Sequence, residues 1–230
     1  MESIHTVLTL VTPNCWMASL DLKDAYYSVK IHPDFQKFLK FSYKGTLYKY
    51  TVLPNGFCIC PRNFTKMMKP PLAFLRLLGH IISRSGYIDD LYLQSKTQQK
   101  CIADVIDAIT LLENLGLVIH PDKSVIVPQQ RLVFLSFVID SVLMTVRLTS
   151  DKITKIKTLL SCLLQHPYFV KIRDVAKVIG HLISSLPGVK YGTLYYRNLE
   201  MEKITALKSA NGNFEDKMCI AHKGIFELNW

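Results

Sequence analysis

The chain has 230 residues, 49% of them hydrophobic and 20% charged, with a formal net charge of +10. That balance excludes a disordered polymer and allows a sizeable core, while no apolar run reaches the ~18 residues needed to span a bilayer. The opening MESIHTVLTLVTPNC carries an acidic residue where a secretory leader would be basic, and the excess lysine and arginine, spread over both halves, suits a polyanion such as nucleic acid or else simple solubility.

In chain order, Met17–Lys30 (MASLDLKDAYYSVK) opens as an apolar strand, with Asp21 expected at its end. Phe38–Leu53 alternates aromatics and lysines around Lys44-Gly45 and predicts a β-hairpin. PRNFTKMMKPPLAFLRLLGH predicts a helix interrupted at Pro70-Pro71, and the flanks of YIDD are strand-like. Thr97 is placed to cap a helix with Ile102, Val105, Ile106, Ile109, Leu112 and Leu115 on one face and Gly116 as its stop. LVIHPDKSVIV and LVFLSFVIDSVLMTVRL then predict short strands joined by turns.

From about Thr149 the pattern is helical. Ser150 is the expected cap of a helix burying Ile153, Ile156, Leu159, Leu160 and Leu163. A second helix carries Ile172, Val175, Val178, Ile179, Leu182 and Ile183 and ends at LPG. A third is expected from near Thr193 to Lys208. The fold class is therefore α+β, a mixed unit followed by a helical one. The six cysteines read as free thiols in a reducing compartment, since the Cys58–Cys60 pair has neither a second pair nor a histidine at ligand spacing.

Asp89 and Asp90 are adjacent carboxylates inside an apolar, aromatic stretch. Two like charges about 4 Å apart repel by roughly 4 kcal/mol at an effective dielectric of about 20, so something must offset them. Residues alternate faces along a regular strand, so the pair belongs at a hairpin tip, where Asp89 could meet Asp21 of a neighbouring strand. Converging carboxylates would suit Mg²⁺. A solvated turn is the alternative.

The context resembles a family. SLDLKDAYYSVKIHP, LPNGFCICPRNFTKMMKP, GYIDDLYLQ, LGLVIHPDKS and RLVFLSFVIDS follow the order and spacing of the palm motifs of reverse transcriptases, and the chain is most similar to those of DIRS-type retrotransposons, which carry a tyrosine recombinase. The resemblance continues through IRDVAKVIGHLISSLPGVKYGTLYYRNLEMEK and GNFEDKM. It implies a polymerase palm, an antiparallel sheet backed by helices, with partial fingers over residues 1–148. A helical thumb or connection region would follow over residues 149–230. The chain reads as truncated at both ends, with RNase H and recombinase parts of the element expected outside it.

The resemblance also implies roles. Asp21, Asp89 and Asp90 match the catalytic aspartates and, with the Leu22 carbonyl, would hold two Mg²⁺ ions, with Mn²⁺ as a substitute. Tyr26 matches the aromatic under the incoming sugar that blocks a 2′-hydroxyl. Asn55 and Gly56 match the nucleotide pocket, Asn55 standing where retroviral enzymes usually have glutamine. Lys123 matches a lysine near the triphosphate that can protonate the leaving pyrophosphate. Arg62, Lys66 and Lys69 would contact nucleic-acid phosphates, and Phe134 and Leu135 would belong to the primer-grip hairpin, with Ser136 in place of a common glycine.

The function implied is RNA-directed DNA synthesis. Its partners would be an RNA or DNA template with primer and dNTPs, without a membrane, inside the cell in cytoplasm or nucleus. The alternatives are a catalytically inactive descendant that binds nucleic acid or protein, and a metal-dependent nuclease using the same carboxylates. The seven histidines form no recognisable ligand set.

Overall fold

The computed structural model describes residues 4–82 and 88–230. Residues 83–87, including Tyr87 of YIDD, lie outside the described residues, while Asp90, expected with Asp89 at a hairpin tip, opens the strand Asp90–Ser95. Contact clustering divides the chain into two units, one holding residues up to Leu135 with Ile139–Thr145, the other Ser136–Val138 with Val146–Trp230.

The first unit begins with α1 (Ile4–Leu10) and β1 (Trp16–Lys23), followed by a 3₁₀ turn at Ala25–Ser28 and the short α2 (Pro33–Gln36). β2 (Lys40–Tyr43) and β3 (Thr46–Lys49) form the expected hairpin. Its turn residues Lys44 and Gly45 have φ of 48° and 77°, the left-handed pair that matches strand twist.

α3 (Cys60–Leu77) runs unbroken through Pro70 and Pro71, against the expected interruption. The prolines withdraw two N–H donors from the helix ladder. Burial of Phe64 and Met68 before them and of Leu72 and Leu75 after them holds both halves to one core.

β4 (Ile81–Ile82) and β5 (Asp90–Ser95) pair antiparallel, and α4 (Gln98–Asn114) follows with Thr97 as N-cap and Gly116 in the left-handed conformation just past its end. The buried side of α4 is Cys101, Asp104, Val105, Ala108 and Leu112. Ile102, Ile106 and Leu115, expected on it, are exposed. β6 (Val118–Ile119) and β7 (Val125–Gln129) complete the main sheet, in which β1 pairs with β5 on one side and with β6 and β7 on the other.

Period-two alternation explains this sheet. Ala18, Leu20 and Leu22 on β1 and Leu91 and Leu93 on β5 face α3 and α4 in one cluster. Burying each of these leucines stabilises by about 1.5–3 kcal/mol. The intervening residues, Ser19 and Asp21 paired with Tyr92 and Asp90, are thereby committed to the opposite face.

β8 (Arg131–Phe134), β9 (Phe137–Asp140) and β10 (Thr145–Leu148) form a separate three-stranded sheet. Leu135 and Ser136, between β8 and β9, have φ of 48° and 65°, so the turn keeps its left-handed geometry without the glycine.

In the second unit, Thr149 caps α5 (Ser150–Gln165), where Ser150 had been the expected cap. The Thr149 hydroxyl accepts from the Lys152 amide, leaving Ser150 as the first helical residue. Ile156 and Leu163 are buried, whereas Ile153 is exposed. β11 (Val170–Lys171) leads into α6 (Ile172–Ile183), whose last residue is exposed. α7 (Arg197–Ser209) starts later than expected because Gly192–Leu194 forms a separate 3₁₀ turn. β12 (Lys217–Met218) pairs with β11, and α8 (His222–Leu228), not expected from sequence, closes the unit.

α7 and α8 cap one another. Glu227 accepts from the amides of Asn198 and Leu199 at 3.0 and 2.9 Å, and Glu202 accepts from the amides of Ala221 and Gly224 at 3.0 and 3.2 Å. Each carboxylate meets otherwise unpaired N–H groups at a helix start. All six cysteines are free, and no helix among the described residues is long and apolar enough to cross a membrane.

Candidate active site

Asp21 lies inside β1, not at its end, and pairs directly with Asp90 at the start of β5. Asp89, one residue before the strand, is held by its backbone, its carbonyl accepting from the Leu22 amide at 2.9 Å. Ile88 precedes it with φ of 63°, a strained conformation for a β-branched residue.

On the other side of β1, the turn between β6 and β7 is bound to Asp21 by two contacts. The His120 amide donates to the Asp21 carbonyl at 2.8 Å, and the Asp21 amide donates to the Ser124 hydroxyl at 3.0 Å. Those bonds bring Lys123 to the carboxylates.

A cavity of about 470 Å³ opens over this region, lined by Asp21, Leu22, Tyr26, Asn55, Asp89 and Lys123 together with Lys23, Asp24, Ala25, Ile88 and His120. Six residues expected at the site from sequence thus share one space. Tyr26 presents its ring edge-on to Phe64, centroids 5.9 Å apart. Asn55 rides on the turn Pro54-Asn55-Gly56, where Gly56 has φ of 87° and Cys60 Sγ donates to the Pro54 carbonyl at 3.2 Å. Gly56 supplies the turn and does not line the cavity.

The electrostatics are those of crowded carboxylates. Burial, then the neighbouring charges of Asp89 and Asp21, raise the Asp90 pKa to about 6, with Lys123 opposing. Burial also raises Asp21; Lys123 lowers it, Asp89 raises it further and His120 lowers it. A hard cation nearby would favour the ionised carboxylates instead. Among the described residues no three Asp, Glu, His or Cys side chains are arranged to hold a metal unaided. The donor chemistry nevertheless fits Mg²⁺, which binds through one or two carboxylates and takes its remaining oxygens from water and substrate phosphates.

The other expected contacts lie elsewhere. Arg62, Lys66 and Lys69 line a depression of about 740 Å³ along α3 with Cys58, Pro61 and Thr65. Phe134 is 4% exposed and its ring packs on Tyr92, centroids 5.7 Å apart, so only its backbone is left for a ligand; Leu135 is half-buried in the turn after it. His120, read with the other histidines as a core or surface residue, and Ser124 were not assigned to the site from sequence. Their only signal was proximity to Lys123, because the bonds that matter join them to a strand a hundred residues earlier.

A family model described as reverse transcriptase (RNA-dependent DNA polymerase) matches residues 1–139. The chain is 30% identical over 152 residues to the Gag-Pol polyprotein of avian reticuloendotheliosis virus, covering 60% of this chain and 13% of that protein. It is 31% identical over 139 residues to the Gag-Pol polyprotein of walleye dermal sarcoma virus, 59% of this chain and 8% of that one. It is also 25% identical over 120 residues to the transposon Tf2-7 polyprotein of Schizosaccharomyces pombe, 52% and 9% of the respective chains. The chain thus spans a small part of the curated relatives it matches.

Among solved structures, the foamy viral protease-reverse transcriptase in complex with RNA/DNA hybrid superposes with a TM-score of 0.72 at 20% identity, over 96% of this chain and 28% of that one. A second, with the same enzyme's dRH form on double-stranded DNA, gives 0.73 at 19% identity, over 100% and 37%. The fold is that of reverse transcriptase polymerases, and the chain belongs to the reverse transcriptase family.

Proposed function

We propose that this member of the reverse transcriptase family performs RNA-directed DNA synthesis, adding dNTPs to a primer 3′-hydroxyl in the cavity over Asp21 and Asp89. The observation that carries the reading is the direct pairing of Asp21 with Asp90, beside Asp89 and facing Lys123. Three carboxylates crowded beside a cavity that Asp21 and Asp89 line are unfavourable unless a cation and a polyphosphate complete the site.

Asp21, Asp89 and Asp90, with the Leu22 carbonyl, would hold the divalent ions. Two Mg²⁺ ions bound there, or Mn²⁺ in their place, would supply charge neutralisation for the attacking and leaving oxygens. Lys123 sits where it can neutralise the triphosphate and give a proton to departing pyrophosphate. Tyr26 forms the floor beneath the sugar and excludes a 2′-hydroxyl by contact, while Asn55 and the Gly56 turn bound the base. Arg62, Lys66 and Lys69 bind strand phosphates without reading sequence, and the backbone at Phe134 and Leu135 holds the primer end.

Residues 1–148 would act as palm with partial fingers and 149–230 as thumb or connection region, in an intracellular element of the DIRS type. RNase H and recombinase functions would belong to its other parts. The carboxylate pairing disfavours an inactive binding descendant, because a binding surface has no use for mutually repelling aspartates.

Primer extension on an RNA template with Mg²⁺ and dNTPs tests the reading against Asp89→Asn. Extension by the parent and none by the variant is expected. A labelled strand that shortens would indicate a nuclease, and template–primer binding without extension would indicate a binding module.

A further inference from the structure

The hairpin that carries Asp89 and Asp90 stands on two feet, and both reach the same buried carboxylate. His80 lies just before β4 and Ser95 is the last residue of β5. Asp104, on α4 and 1% exposed, has Oδ1 2.6 Å from His80 Nδ1, while its Oδ2 accepts from the Ser95 hydroxyl. Lys100, one turn earlier on the same helix, places Nζ 2.5 Å from Oδ1 and supplies the counter-charge. On the far side of the imidazole, Nε2 faces Asp107 Oδ2 at 3.4 Å.

A carboxylate in a core is costly unless its oxygens are satisfied, and here both are. The group is not a nucleophilic relay. Ser95 and the His80 ring both bond to the carboxylate, and Ser95 is itself buried. Its effect is mechanical.

β4 and β5 are joined by only two described residue pairs, Ile81 with Gln94 and Ile82 with Leu93. The register of β5 is set by its six pairs with β1, from Trp16 with Ser95 to Asp21 with Asp90, so what the two feet add is the seating of β4 and β5 on α4. The chain into the first foot is also fixed. Gly79 turns at φ of 87°, and the His80 amide closes α3 by donating to the Leu75 carbonyl at 3.2 Å.

We propose that Asp104 is a positioning residue that clamps both feet, His80 before β4 and Ser95 at the end of β5, to α4 and thereby steadies the strand on which Asp90 meets Asp21. The proposal rests on the polymerase reading for its functional consequence, but its structural content stands separately.

Amide hydrogen exchange on the metal-free chain tests it. The Leu22 amide, bonded to the Asp89 carbonyl, reports docking of the hairpin against β1. Asp104→Ala should accelerate exchange at Leu22 and along β5 by about tenfold relative to α3, and Ser95→Ala should do so more weakly. Leu112→Ala, a core truncation elsewhere in α4, should raise exchange evenly across the unit. In primer extension, Asp104→Ala should lower kcat about tenfold while leaving template–primer affinity within about twofold, and Asp104→Asn should restore much of the loss because its amide can still bond both feet. Overlap of the Asp104→Ala exchange profile with that of Leu112→Ala would overturn the proposal. If the parent fails to extend a primer, the polymerase reading fails and the exchange profile alone decides the positioning role.

Discussion

Asp21 and Asp90 face each other as a directly paired couple on antiparallel strands, and the same pairing that aligns Leu20 with Leu91 in the core puts them there. The hydrophobic face therefore determines the position of the charged one. Burial raises the pKa of both carboxylates, and the Asp89 charge raises both further while Asp21 also raises Asp90, so the crowding of the three is a local cost in the absence of a cation.

Asp90→Asn should remove polymerase activity and yet stabilise the metal-free chain. Relief of about 1 kcal/mol of repulsion corresponds to about 2–4 °C in Tm for a protein of this size. Mg²⁺ should raise the Tm of the parent by mass action and leave the variant nearly unmoved. Thermal unfolding in chelator and in Mg²⁺ checks both arms. A lower Tm for the variant in chelator would mean that Asp90 packs favourably as an anion.

The local half of this arrangement was legible in the sequence. Apolar, strand-like runs identified β1 and β5, Lys44-Gly45 identified its hairpin, and Thr97 with Gly116 bounded α4. Long-range register was not legible. Neither the Asp21–Asp90 pairing nor the joining of His80, Asp104 and Ser95 leaves a trace in local periodicity, because each is decided by how the sheet packs on α3 and α4. The prolines of α3 misled for the same reason: core burial on both sides outweighs two lost hydrogen bonds. Ile102 and Ile106 fit a helical stripe, but the packed stripe runs instead through Cys101, Asp104, Val105 and Ala108.

Acid should unfold the first unit partly through Asp104. Burial raises its pKa, but hydrogen bonds from Lys100, Ser95 and His80 outweigh that effect, and the net shift is downward from 3.8. A depressed carboxylate contributes stability above its unfolded pKa, and that contribution is lost as pH falls through the lower folded value. Urea unfolding followed from about pH 5 downward should show a steep loss for the parent and a shallower one for Asp104→Asn. Equal slopes would mean that the carboxylate is not ionised in the fold.

The reciprocal caps of α7 and α8 make a different prediction, confined to the second unit. Glu227→Ala leaves the Asn198 and Leu199 amides without their acceptor and should cost about 1–3 kcal/mol. Gly224→Ala should also destabilise, since a Cβ there would stand 2.6 Å from Glu202 Oε2 and 2.7 Å from Ile220 Cγ2, displacing the other cap. Denaturant unfolding with probes in each unit checks this. Loss in the first unit with none in the second would refute it.

Lys66 and Lys69 lie with Arg62 along one depression on α3, away from the carboxylate cavity, so their loss should alter affinity without altering chemistry. Each phosphate contact releases condensed counterions, and the salt slope of log K should shrink by about 0.9 for each lysine removed from a duplex contact. Lys66→Ala and Lys69→Ala should therefore weaken template–primer binding equally across sequences, most at low salt, with kcat at saturating template unchanged. Binding measured over a salt series for three unrelated template sequences separates the outcomes. A sequence-dependent loss would mean that these side chains touch bases, and an unchanged slope would mean that the strand does not lie along α3.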